Sequence, residues 1–153
     1  MIAAPFRASR QEMDEASMRT HQARGIVRLG ADYLELEFRE HVQEYGFESY
    51  RERVEELHTA TIPLDHLTTI EWRNPLGVQP RIVLGFSRLS SAARLPWVSE
   101  TRAVLAVRWR DRHRGRELAG EAALLLADRQ LRQAEAEPPP LPPARDDARE
   151  RNG

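Results

Sequence analysis

The sequence contains no cysteine and no lysine, so all 23 basic residues among its 153 are arginine. Without cysteine there is no disulfide, no thiolate metal ligand and no thiol nucleophile. Without lysine there is no Schiff-base chemistry and no Walker-type phosphate lysine. The arginine-for-lysine skew is uniform along the chain and reads as genome composition rather than function. Long apolar runs are missing too. The longest, Ala122 to Ala127, is far short of the ~20 residues a membrane-spanning helix needs. The opening "MIAAPFRASRQEMDEASMRT" has no apolar core of signal-peptide length and carries acids, so a cytoplasmic location is expected. A net charge of −1 leaves no global field that would favour nucleic acid or a membrane.

What is present fits one domain with polar ends, long enough to bury a core. Residues 1–23 are polar without a sustained period and read as a disordered or weakly helical N-terminal arm. From Gly25 the text changes. "GIVRLGADYLELEF" reads as two strands around a turn at Gly30-Ala31-Asp32, where Gly and Asp would supply unusual backbone angles. Leu34, Leu36 and Phe38 then alternate with Glu35, Glu37 and Arg39, as in an antiparallel sheet wet on one side. "QEYGFESYRERVEEL" reads either as a long hairpin loop or as a short helix over 49–57.

"TATIPLDHLTTIEWR", Thr59 to Arg73, predicts a strand, a bend at Asp65-His66 and a new strand through Trp72. Pro63 lacks an N–H and belongs near a strand end. Asp65 can bond backbone N–H groups just ahead of it. "RNPLGVQP" is a turn, and "RIVLGFSR" alternates Ile82, Leu84 and Phe86. "LSSAARLPWVSE" is a loop or short edge strand. "TRAVLAVRWR" is the most apolar strand, central or near it. Asp111 then offers an N-cap, and Leu118, Ala119, Ala122, Leu125 and Leu126 share a helical face that Leu124 and Leu131 would broaden. The helix is expected to stop near Ala136, before "EPPPLPPARDDARERNG", because proline cannot continue it. Residues 137–153 read as a disordered, Pro-rich charged tail. The fold class is therefore mainly β with one C-terminal amphipathic helix, an antiparallel barrel or two-sheet sandwich capped by that helix, over 24–136.

This order resembles the pleckstrin-homology-like (PH-like) fold, in particular small bacterial PH-like domains. The residues that carry the resemblance are "GIVRL", "GAD", "YLELEF", "TIPLDHLTTIEW" and "AVLAVRWRDRHRGRELAGEAALLLA". It implies a non-catalytic binding or scaffolding module, with the Asp65-His66 break as a barrel corner. The basic cluster with which eukaryotic PH domains grip phosphoinositides has no counterpart in "VRLGADYLELEF". Arg28 and Arg39 stand there beside Asp32, Glu35 and Glu37, so that activity is not carried over.

Arg108, Arg110, Arg112, Arg114 and Arg116 form the strong charge cluster. They read either as an anion patch, for phosphate, an acidic partner or an anionic membrane, or as a solvated face paired with neighbouring acids. Trp97, in its Pro-flanked loop, is either an exposed contact or a buried anchor. The five His are scattered at 21, 41, 58, 66 and 113, without the convergent ligands a metal needs. No nucleophile elbow or phosphate loop occurs, so neither an enzyme nor a cofactor is expected. "PLPPAR", Pro140 to Arg145, fits a P-x-x-P-x-R motif as readily as a solubilising tail. The expected function is protein–protein interaction. The alternatives are a small-molecule or lipid carrier using the barrel interior and an anionic-membrane or phosphate binder acting through Arg108–Arg116. Nucleic acid is disfavoured, since no aromatic-interleaved basic sheet face is evident.

Overall fold

The computed structural model describes residues 2–136. They form seven strands: β1 (Ile2–Met13), β2 (Ser17–Leu29), β3 (Tyr33–Gly46), β4 (Tyr50–Pro63), β5 (Leu67–Arg73), β6 (Arg81–Phe86) and β7 (Arg102–Ala106). One helical turn, α1 (Leu89–Ala92), precedes β7, and a long helix, α2 (Arg112–Ala136), closes the domain. The strands make one antiparallel sheet in the order β4-β3-β2-β1-β7-β6-β5. The expected fold class, mainly β with a C-terminal helix, is the one observed. The sheet is not closed into a barrel: β4 and β5 each have a strand partner on one side only. The Pro-rich segment 137–153 lies outside the described residues.

The N-terminal arm expected over 1–23 is instead β1 and the first part of β2. They pair from Ile2 with Leu29 to Met13 with Met18. Ala4, Phe6 and Ala8 alternate into the core, a rhythm muted by two alanines. Toward the hairpin tip the strands carry no core at all. Charge takes its place on one face, where Glu12, Arg19, Glu44 and Arg51 stand opposite one another across β1 to β4. Alternating signs at directly opposed positions stabilise strand pairs, and Arg19 Nη2 donates to Glu44 Oε1 at 3.2 Å. Deeper in, the buried Glu40 meets His21 Nδ1 at 2.5 Å. The domain therefore begins at β1 rather than at residue 24.

Further expectations are corrected or decided. Residues 50–57 are neither loop nor helix but the first part of β4, continuous with the strand expected from Thr59, because its charged positions pair with β3. The turn at 30–32 needs no left-handed backbone, since positive φ occurs only at Gly77 and Glu100 among the described residues. Leu124 and Leu131 face solvent, whereas Leu118, Ala119, Ala122 and Leu126 are buried. "LSSAARLPWVSE" forms α1 and a loop rather than an edge strand.

The corner at Asp65-His66 is present. β4 ends at Pro63, a 3₁₀ turn spans Leu64–His66, and β5 starts at Leu67. The Asp65 carboxylate does not bond the backbone ahead of it, as expected from sequence. It accepts from Arg129 Nη1 of α2 at 2.9 Å, tying the corner to the helix. Both groups are partly solvated, so Asp65→Ala should cost only about 0.2–1 kcal/mol, read as a small fall in melting temperature.

The core lies between the inner sheet face and α2. Val27, Leu34, Leu36, Ile62, Leu84, Leu105 and Leu118 meet there in one contiguous cluster. Gly25 sits on β2 between Phe6 and Phe38, its partners in register on either side. A Cβ at Gly25 would come within 2.0 Å of the Glu37 carbonyl oxygen, so only glycine permits that close approach. With the inner face filled, the opposite face of the sheet is the one turned to solvent.

Candidate functional site: an arginine row on the outer sheet face

Antiparallel pairing places directly opposed residues on the same face. Alternation then decides which residues meet outside. With Phe6, Ala8, Leu36 and Phe38 turned inward, Arg7 and Arg39 turn outward. The register sets Arg24 opposite both Arg7 and Arg39. Arg7 is also the residue that meets Ala106 of β7, Ala106 meets Arg81 of β6, and Arg81 meets Arg73 of β5. The outward positions Arg39, Arg24, Arg7, Ala106, Arg81 and Arg73 thus form one row across six strands. At ~4.8 Å per strand the row runs about 24 Å.

Like charges at directly opposed positions destabilise a sheet unless acids intervene. Elsewhere on this face they do. Arg28, on β2, donates to Glu37 at 3.0 Å and Glu35 at 3.2 Å, and its pKa is raised, chiefly through Glu37. At one end of the row Arg73 pairs with Glu71 at 2.8 Å. Among the described residues no carboxylate lies within ion-pair distance of Arg7, Arg24, Arg39 or Arg81. The guanidinium of Arg7 is held below the usual arginine range, by Arg108 first, then Arg24, partial desolvation and Arg110.

Arg108 and Arg110 come from the segment between β7 and α2. Sequence alternation put them on a strand, but β7 ends at Ala106 and Trp109–Asp111 is a 3₁₀ turn. The turn brings them to the side of Arg7 and Arg24, and these four arginines line one cleft with Asp111. Asp111 stands 3.7 Å from Arg110. The remaining members of the expected cluster do not join them. Arg112 stacks its guanidinium 4.4 Å from the Trp109 ring centroid and donates to the Trp109 carbonyl. Arg114 and Arg116 are exposed on α2 and line none of the clefts around Arg7. The effective cluster is therefore Arg7, Arg24, Arg108 and Arg110, the first of them from a segment that read as disordered.

Trp97 is not a contact residue. It is 4% exposed, with its ring centroid 5.6 Å from Phe6 and 4.8 Å from Phe38. The exposed aromatic is Trp109. It shares a second, more apolar cleft with Leu76, Val78 and Arg108. Leu76, at the tip of the β5–β6 loop, is wholly exposed and Trp109 is 61% exposed. The two clefts meet at Arg108. A third, around Arg7, Arg24 and Val104, shares Gln79 with the apolar one. One continuous surface results, basic on the sheet and apolar at the loop.

The histidines do not converge. His21 pairs with Glu40, His41 with Glu52, His58 with Glu55, and His66 Nδ1 lies 2.5 Å from Ser91 Oγ. Among the described residues no three His, Asp or Glu side chains are placed to hold one metal ion, and no helix is long and apolar enough to cross a membrane. The row could have been found in the sequence only by knowing the register. Its members stand at 7, 24, 39, 73 and 81, with no local spacing to link them.

No protein-family model, curated protein or solved structure matches this chain.

Proposed function

We propose that this protein is a non-catalytic binding module that holds another protein on its outer surface. The observation that carries the reading is the continuous surface joined at Arg108, where unneutralised arginines adjoin Leu76, Val78 and Trp109. A mixed basic and apolar patch with an exposed tryptophan has the composition of protein-contact surfaces, in which aromatic residues and arginine are enriched. Exposed apolar side chains gathered at one loop are what a partner covers. The packed interior supports this reading over a carrier. The positions a barrel ligand would occupy are taken by Val27, Leu34, Leu36, Ile82 and Leu105. Four strands, a corner, three strands and a C-terminal helix also support PH-like membership, with a scaffolding role in the cytoplasm.

Affinity capture from the host lysate, with the wild-type chain beside Leu76→Asp and Trp109→Ala, tests the proposal. A discrete protein held by the wild type should be lost or cut about tenfold by Leu76→Asp. Melting temperature should stay unchanged, because Leu76 buries nothing to lose. Retention of the same protein by both variants, or capture of no protein, would sink the reading.

A further inference from the structure

We infer that the arginine row is the seat of an acidic, extended segment of the partner protein, laid across the strands with its carboxylates on Arg39, Arg24, Arg7 and Arg81. This rests on the binding-module reading and specifies the partner's chemistry.

Arg7–Arg24 and Arg24–Arg39 are two successive like-charge oppositions on exposed positions. Nothing in the core requires arginine at any of them, since all three side chains face solvent. The same face shows the ordinary remedy at Arg28, which two glutamates flank. At the row that remedy is withheld, and Arg108 and Arg110 add charge beside it. A surface that bears repulsion in the free protein is relieved when an anion docks.

The shape of the charge selects the anion. Five arginines along about 24 Å match a chain rather than a point. An extended peptide of about seven residues covers that length at ~3.4 Å per residue. Planar guanidinium groups accept carboxylates in bidentate pairs. Ala106 interrupts the arginines at the middle of the row, and its small side chain leaves a dip of about 320 Å³ lined by Arg7, Arg24 and Val104. Two strands from Arg7, on the far side of Ala106, the Nε atom of Arg81 is buried without a hydrogen-bond partner among the described residues.

The flanks decide between chain types. Single-stranded nucleic acid needs aromatic platforms for its bases. The rows beside the arginines hold Ile26 and Val104, both more than a third exposed, and no Phe, Tyr or Trp, while their acids Glu37 and Glu71 are already engaged by Arg28 and Arg73. Trp109 is already stacked by Arg112. Aliphatic flanks suit the side chains that alternate with carboxylates in a peptide.

The test uses the full chain and a fluorescein-labelled ten-residue peptide of alternating Glu and Ala, followed by fluorescence anisotropy. The peptide should bind and weaken as salt is raised, since exposed charges are screened within ~10 Å at 0.1 M. Arg24→Glu turns both like-charge oppositions into attractive ones. It should therefore raise the melting temperature while weakening the peptide about tenfold or more. Arg28→Gln should do the reverse, lowering the melting temperature and leaving the peptide's affinity unchanged. That opposition separates a site from a merely structural charge. Failure of the peptide to bind, or binding that survives Arg24→Glu, would overturn the inference. So would tighter binding of a ten-nucleotide oligothymidylate, of inorganic phosphate or of phosphatidylserine vesicles. A lysate partner that depends on Leu76 but is indifferent to Arg24→Glu would remove the acidic segment and leave the binding-module reading standing.

Discussion

A chain that starts at residue 22 will not fold. Read from the sequence, that cut looks harmless, since it trims a polar arm. In the structure it removes all of β1 and the first turns of β2. β1 is the central strand of seven and, among the described residues, supplies the one strand pairing between β4-β3-β2-β1 and β7-β6-β5, at Arg7 opposite Ala106. Its removal exposes the ladder edges of both β2 and β7. It also takes Ala4, Phe6 and Ala8 from the core. Losing a buried Phe alone costs about 3–5 kcal/mol, against a total stability of about 5–15 kcal/mol for an ordinary domain. Circular dichroism and a thermal scan of the truncated chain should show no cooperative transition. A truncated chain that melts cooperatively within a few degrees of the full one would contradict the central place given to β1.

Trp97→Ala should destabilise the protein by about 3–5 kcal/mol, lowering the melting temperature by roughly 10–20 °C. The tryptophan comes from a loop, but its ring is buried against Phe6 of β1 and Phe38 of β3. There it packs edge-on against Phe38 and at a tilt against Phe6. One side chain therefore ties β1 and β3 to the α1–β7 loop. Trp97→Phe keeps part of the ring and should recover a third to a half of the loss. Urea denaturation of the two variants measures both. If Trp97→Ala instead leaves stability intact and abolishes partner capture, Trp97 is a contact residue after all. Trp109→Ala is the counterpart, expected to affect capture and to leave the melt nearly untouched.

Some elements were legible because their signals are local. The alternation of Leu34, Leu36 and Phe38, the proline-marked corner at 63–66, the turn at 74–80 and the helical face of Leu118, Ala119, Ala122 and Leu126 each depend on neighbours a few residues away. β1 and β4 were not legible, for one shared reason. Each buries apolar residues over only part of its length, and the rest is held by opposition to other strands. β1 shows two alanines where a strand signal wants branched or aromatic residues. β4 shows "YRERVEEL", whose three-to-four spacing of Tyr50, Val54 and Leu57 imitates a helix. All three of those side chains are exposed.

The site divides in the same way. The run Arg108–Arg116 was visible as a cluster in the sequence, yet the chain turns within it and separates its members. Arg108 and Arg110 go to the sheet, Arg112 goes to Trp109, and Arg114 and Arg116 go to open solvent. The arginines that keep company with the first two lie up to 103 positions away, at Arg7 and Arg24. By itself the sequence determined the fold class, the corner, the helix and the exclusion of thiol and lysine chemistry, because composition and short-range periodicity are properties of the chain alone. Only the tertiary structure decided that β1 is the centre of the sheet, that Trp97 is inside and Trp109 outside, and that five distant arginines stand in one row. Register between strands is set by the sum of pairings along their whole length, and no single stretch of sequence contains it.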